Sequence, residues 1–363
     1  MIAAILRGVR HMGKQWAAMG SGNSGGGCGI HFDANGMQFV RITRTSGSDR
    51  LRLDAYGAAA LEDDMLRGAL IVKPEAVARR LEELLERLGT RAEALQDDVI
   101  VLALPSHGLK TQVIDFPADL PPRALRAWCQ RRAALLLPGD GDPDLRSRVG
   151  VAWAEPGSHR LRLYACEATP VDDRMAVLEM SGLRAQAIDA AHQAGRRAFL
   201  WAQPAAQRTS SSNDHAAFAL TASVGGDRTG GPGALLQIDA QTLDLAVFDG
   251  AVCVGDVRER FDGVRGHPEA LASAVRDLTQ TLPISPRVID VVTQGASPAE
   301  LLVICDAVAS ACGVAVRPFD PLATFEGVDS AGRRQDTYVP RAALAVPCGL
   351  ALRAMSMQGV ACG

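Results

Sequence analysis

Residues 234–257 read ALLQIDAQTLDLAVFDGAVCVGDV, and the reading of this stretch decides the fold. ALLQIDA, TLDLAVF and AVCVGDV have the character of three successive strands. Asp249-Gly250 joins the second to the third, a strong hairpin signal because glycine accepts the positive φ that a tight turn imposes. A three-stranded meander is predicted. The same figure stands earlier in the chain: CGIHF, MQFVRIT and LRLDAYGAA are strand-like, and Asp33-Ala34-Asn35-Gly36 supplies turn residues between the first two.

Outward from each meander the pattern changes to helices and buried strands. After the first, Pro74 opens PEAVARRLEELLERLG, where Val77, Leu81, Leu84, Leu85 and Leu88 repeat with helical period and Gly89 ends the run. The buried-looking strand DVIVLALP follows. After the second come helix PEALASAVRDLTQTL, strand RVIDVVTQG, helix SPAELLVICDAVASACG, the short strand VAVRPF and a closing Ala-rich helix, RAALAVPCGLALRAM. The halves thus share a topology without sharing letters, which predicts two α/β lobes facing a cleft. Residues 109–167 read differently. Strand KTQVIDFP, a proline-bounded helix and strands RVGVAW and RLRLYACEA form a small α+β unit inside the first half, followed by a helix at about 170–181, strand LRAQAIDA and a helix over 190–202. The expected layout is 1–27 as an amphipathic segment and Gly/Ser linker, 28–204 as the first lobe, 205–233 as a junction rich in small polar residues, and 234–363 as the second lobe.

The 363 residues are 47% hydrophobic, enough for sizeable cores, and carry a formal charge of −3. That balance argues against a protein built to coat nucleic acid, whose affinity needs clustered positive charge. The eight cysteines form no CxxC pair and no His/Cys group at zinc-finger spacing. Most sit among apolar residues, where cysteine acts as a small hydrophobe, so a reducing cytoplasm is expected. No apolar run reaches the roughly 18–20 residues that a spanning helix needs. Residues 1–19 are not a standard signal peptide, because Arg7, Arg10 and Lys14 interrupt the apolar run. Ile2, Ile5, Leu6, Val9, Met12 and Trp16 recur at helical spacing with basic residues mostly elsewhere on the wheel. An interfacial helix drawn to anionic lipid fits that pattern; a helix docked on a partner or on its own domain, or a poorly ordered extension, is the alternative. Gly20, Gly22 and Gly25 spell GxGxxG, but a helical pattern precedes them and strand-like sequence comes after, the reverse of a dinucleotide fingerprint.

The hairpin–meander–helix repeat resembles the actin/sugar-kinase/Hsp70 fold. A finer resemblance is to the PilM family, FtsA-like type IV pilus assembly proteins. It is carried by GIHFDANGMQFVRI, by VIVLALPSHGLKTQVIDFPADLPPRALRAWCQRRAALLLP, by LEMSGLRAQAIDA, by ALLQIDAQTLDLAVFDGAVCVGDV and, most specifically, by ALAVPCGLALRAM. The order and spacing of these stretches, from about 28 to 355, make the case. The resemblance implies a two-lobed actin-like ATPase fold with a small inserted α+β subdomain in the first lobe. It also implies a cytoplasmic scaffold, peripheral at the inner membrane, that binds the cytoplasmic tail of a PilN-like protein and connects the platform to pilus motor ATPases. No nucleic acid is among the expected partners.

In this fold two hairpins grip phosphates. Each typically reads Asp, an apolar residue, then Gly, so that the carboxylate organises magnesium and the glycine lets backbone N–H groups approach the phosphate. The present chain departs from both. His31 stands for the first Asp and Asp33 for its Gly, and Gln38 for a lysine common in the family. Gln237 stands for the second Asp and Asp239 for its Gly. A carboxylate at the glycine position repels phosphate. A vestigial nucleotide site is therefore expected around Asp33, Asn35, Gly36, Asp239, Gln241 and Gly295, with no catalytic residue, no resident metal and no cofactor; ATP with magnesium is the alternative. Asp33 and Asp239 read first as ordinary turn residues. A shifted register, in which they themselves serve as the metal acids, competes with that reading. Ser106-His107 follows a buried strand like a nucleophile but lacks a G-x-S-x-G elbow and reads as a loop. Arg126, Arg131 and Arg132 beside Trp128 form a basic, solvated or partner-facing helix face, and Glu62, Asp63 and Asp64 a solvated acidic loop. The rivals to the scaffold reading are an active ATPase or kinase of the same fold and a type II secretion platform protein, whose chains usually continue into a membrane span.

Overall fold

A computed structural model describes residues 25–33, 36–45, 50–117, 121–137, 147–153, 160–203, 231–261, 267–328 and 340–359. The sequence-predicted candidates Ile2, Ile5, Arg7, Val9, Arg10, Trp16 and Asn35, and residues 205–230 of the junction, lie outside the described residues.

The first meander forms as its alternation dictates. Strands β1 (Gly27–Asp33), β2 (Gly36–Arg44) and β3 (Leu51–Ala59) pair antiparallel in sequence order. A two-residue ribbon, β4 (Leu66–Arg67) and β5 (Leu70–Ile71), leads to helix α1 (Pro74–Arg87). Pro74 starts α1 because its missing N–H has no partner in a first turn anyway. Val77, Leu81, Leu84 and Leu85 of α1 are buried against Phe32, Phe39 and Ile100. Each fully buried side chain of that size contributes roughly 1.5–3 kcal/mol. The chain then returns parallel beside β1 as β6 (Val99–Leu104).

Between β6 and the rest of the first lobe sits the small unit seen in the sequence. It has β7 (Lys110–Asp115), α2 (Pro122–Ala134), β8 (Ser147–Trp153) and β9 (Arg160–Glu167), in the antiparallel order β7-β9-β8. Its core is its own: Cys129 and Ala133 of α2 meet Leu161, Leu163 and Ala165 of β9. Helix α3 (Thr169–Met180) returns the chain to the first sheet, where β10 (Ala187–Ala190) pairs parallel with β6 and runs directly into α4 (Ala191–Ala202).

The second lobe repeats the first. Strands β11 (Gly233–Ile238), β12 (Thr242–Asp249) and β13 (Val252–Arg260) make the second meander. Helix α5 (Pro268–Thr281), β14 (Val288–Thr293), α6 (Pro298–Cys312) and β15 (Ala315–Pro318) come next, with β14 parallel to β11 and β15 parallel to β14. The sheet orders are β10-β6-β1-β2-β3 and β13-β12-β11-β14-β15. Read from the parallel edge, the two are one design used twice.

The last helix, α7 (Ala345–Gly359), does not stay with the lobe that precedes it in sequence. Its Val346, Leu350 and Ala354 pack on Val101 and Ala103 of β6 and on Ala191 and Ala194 of α4. The first lobe is thus closed by residues that the sequence reading grouped with 234–363. Helices α4 and α7 cross in backbone contact: a Cβ on Gly349 would stand 1.8 Å from the Ala194 carbonyl oxygen. Between the sheets, Phe199 of α4 lies 5.1 Å, ring centre to ring centre, from Phe248 of β12 and 5.8 Å from Phe319. They share a core with Val40, Ile42 and Leu53 of the first sheet and with Leu344, Cys348 and Leu352.

Candidate functional site

Asp33 and Asp239 stand at equivalent places in the two lobes, each at the end of the first strand of its meander. Asp33 ends β1, opposite Gly36 at the start of β2. Asp239 follows β11, and its backbone N–H donates to the Thr242 carbonyl. The Asp239 Oδ1 accepts the backbone N–H of Gln241 at 2.8 Å and of Thr242 at 2.6 Å. One carboxylate oxygen is thereby committed to its own turn, the geometry that makes Asp a turn residue. Gln294, before Gly295, follows the adjacent strand β14 and donates its backbone N–H to the Ile238 carbonyl. Gly295 has φ 78°, the left-handed region that glycine enters freely.

Beside Asp239 lies a small cleft with room for about one water molecule. From the first lobe it is lined by Ser106, Ala191 and His192, and from the second by Gln237, Asp239, Thr242, Asp244 and Gln294, among others. Of the sequence-predicted site residues, Asp239 lines it directly. Gln241 and Gly295 are one position away from lining residues. Asp33 is buried nearby, with its Oδ2 accepting from Gln38 Nε2 at 3.2 Å and 3.6 Å from His31 Nε2.

Three features fill this space. Gln237 donates its amide to the His192 carbonyl at 2.9 Å and lies 3.4 Å from Asp244 Oδ1. It can lie there because residue 195 of α4 is glycine: a Cβ would come within 1.8 Å of Gln237 Oε1. Ser106 and His107 form a single 3₁₀ turn with Gly108 after β6. The Ser106 hydroxyl sits 3.4 Å from His192 Nδ1, a long contact. His107 reaches across the lobes to within 3.9 Å of Asp239 Oδ2. Burial alone would raise the Asp239 carboxyl; His107 and the turn's donors outweigh it and hold the group below its ordinary value. His31 and His192 are driven the other way for a base: burial pushes both below the ordinary histidine value, with the Arg258 and Arg196 charges reinforcing the effect at His192. Both imidazoles are neutral at neutral pH. Among the described residues, no group of three or more His, Cys, Asp or Glu side chains is placed to hold a metal ion.

Behind the cleft lies a charge network that sequence reasoning missed. Arg196 of α4, 3% exposed, donates to Asp244 of β12 at 2.8 and 3.1 Å and to Asp256 Oδ2 of β13 at 2.9 Å. Arg258 also donates to Asp244 Oδ2, at 3.0 Å. Arg162, on β9 of the small subdomain, grips Asp256 with two bonds of 2.6 and 3.2 Å. Burial weakens the Arg196 charge, but the two aspartates outweigh it and raise its value further; Asp256, which burial would raise, is held well below the carboxylate range by Arg162 and Arg196. The available signal was Arg196-Arg197 within the apolar run AHQAGRRAFLWA: charges seldom enter such a helix unless partnered.

A family model described as "Type IV pilus assembly protein PilM" matches residues 29–228, more than half of the chain. The chain belongs to the PilM family. Among solved structures, it is similar to a chain titled "PilM-PilN type IV pilus biogenesis complex", 15% identical, with a TM-score of 0.67 over 92% of this chain and 99% of that one. The ethanolamine utilization protein EutJ from Carboxydothermus hydrogenoformans is 12% identical with a TM-score of 0.45, over 92% and 91% of the two chains. A Bacteroides thetaiotaomicron protein with an actin-like ATPase fold is 8% identical with a TM-score of 0.44, over 85% and 95%. No curated protein matches the sequence. The fold is the two-lobed actin-like one with an inserted subdomain, as PilM membership leads one to expect, and the PilM match takes in the first meander, β6 and the insert.

Proposed function

We propose that this PilM-family chain is a scaffold of the type IV pilus inner-membrane platform. It works on the cytoplasmic face, binds the cytoplasmic tail of a PilN-like protein and turns over no nucleotide. Family membership supports the pilus role, and the solved PilM-PilN complex with its like fold supports the choice of partner. Among the described residues no helix is long and apolar enough to cross a membrane.

The observation that carries the non-catalytic half is Gln237. Where this fold places a magnesium-organising carboxylate, the chain has an amide already committed to the His192 carbonyl. The phosphate-facing glycines are replaced by Asp33 and Asp239, whose charge opposes that of a phosphate. These residues do not fit Mg–ATP.

Calorimetry with a synthetic PilN-type N-terminal peptide, with and without Mg–ATP, tests the reading. Binding of the peptide unaffected by nucleotide is the expected result. Binding of ATP with no binding of the peptide returns the chain to the enzymes of its fold.

A further inference from the structure

The two sheets share the apolar core around Phe199, and in nucleotide-binding versions of this fold a bound nucleotide also touches both hairpins. The inference here rests on the reading of the cleft as unsuited to Mg–ATP. We infer that the carboxylates of Asp256 and Asp244 form a permanent latch that closes the lobes in place of a ligand and ties the inserted subdomain to the closed state.

Three bodies meet at Asp256. Arg162 arrives from the insert, Arg196 from the helix α4 that leaves the first sheet, and the carboxylate itself belongs to the second sheet. Two-pronged guanidinium–carboxylate contacts fix orientation as well as distance. Arg196 also engages Asp244, so one guanidinium spans two neighbouring strands, β12 and β13. The pairing is hydrogen-bonded throughout: Asp244 takes Arg196, Arg258 and the Gln237 amide. Gln237 therefore belongs to both systems. The residue that occupies the magnesium-acid position is also the one that links the cleft to the latch. Beside Arg162, Tyr164 of the insert accepts the Gln193 amide of α4 at 3.0 Å and sets its ring 5.9 Å from that of His192. Displacing the insert must pull Arg162 from Asp256 and Tyr164 from α4 together. An event on the insert is thereby felt at the junction of the lobes.

Hydrogen exchange of the full chain, read by peptide mass, tests this in the wild type, Arg162→Met and Asp256→Asn. Arg162 is partly exposed and supported by its own subdomain core, so Arg162→Met keeps the fold even if Asp256→Asn, which leaves buried Arg196 only its Asp244 contacts, does not. In the wild type, β9, β13 and α4 are expected to be protected without nucleotide and no better protected with Mg–ATP. In Arg162→Met their exchange rises on the order of tenfold, while α1 and α6, remote from the latch, keep wild-type rates. Unchanged exchange at β9 and β13 in Arg162→Met overturns the latch. So does a uniform rise over the whole chain, which would make Arg162 a general stability residue, or added protection of the wild-type hairpins by Mg–ATP. The scaffold reading fails separately: a chain that shows the latch pattern but does not bind the PilN-type peptide keeps the latch and loses the partner.

Discussion

At the scale of single residues, the site turns on whether a side chain fits beside a backbone. Gly195 exists to admit Gln237. Gly195→Ala forces the Gln237 amide away from the His192 carbonyl, and a buried amide without its acceptor adds to the overpacking, for a loss of about 1–3 kcal/mol in denaturant unfolding. The double variant Gly195→Ala/Gln237→Ala is expected to lose less than the sum of the two single changes, because the second removes the clash made by the first. The buried histidines give a second test. His31 and His192 have folded values below the unfolded value of about 6.5. The unfolded chain therefore binds their protons first as pH falls through that value, so stability is full above it and declines with acidification. The melting temperature is expected to drop between about pH 7.5 and 5.5, and His192→Gln to flatten the slope. Asp33 and Asp239 show how far residue types alone reach. Their place at the two hairpins was legible because turn chemistry is local. That Asp239 faces His107 was not, because the two sit in different lobes.

At the scale of elements, the periodic and capped segments were the readable ones. SPAELL announces α6: Ser297 accepts the Glu300 backbone N–H at 3.2 Å, and the Glu300 carboxylate accepts the Ser297 N–H at 2.7 Å, a complete capping box. Ser297→Ala is expected to cost about 1 kcal/mol, measured by the denaturant midpoint at constant slope. The 14-residue α1, whose apolar positions recur every three or four residues, was equally plain. The ribbon of β4 and β5 was not legible, since two-residue strands carry no period to detect. The sequence run LRAQAIDA shrank to Ala187–Ala190, the residues in strand register with β6, with Gln186 just before them donating its N–H to the Ile100 carbonyl. The insert was legible as a change of pattern, and its own core explains why: Leu161, Leu163 and Ala165 point one way along β9 with Arg162 and Tyr164 between them. What no local pattern could reveal was that Arg162, reading as an ordinary outward residue of that alternation, ends on Asp256.

At the scale of the whole molecule, the duplicated strand order was readable from two hairpin signals and from the helices and buried strands next to each. The way the halves are joined was not. Helix crossings depend on close approaches between residues far apart in the chain, such as Gly349 against Ala194. The latch belongs to this scale, since it asks whether the lobes move as one body, and so does the peptide test, which asks whether the whole chain serves as a scaffold. The return of α7 to the first sheet has a further bearing on how the protein comes to be. During synthesis β1, β6 and α4 leave the ribosome long before residues 345–359, and the apolar surface formed by Val101, Ala103 and Ala194 has no cover until they do. The first lobe is therefore not a unit that matures on its own while the second is being made. Its completion waits for α7 to be made, and a nascent chain arrested before α7 carries an unfinished, adhesive face that chaperones would have to shield.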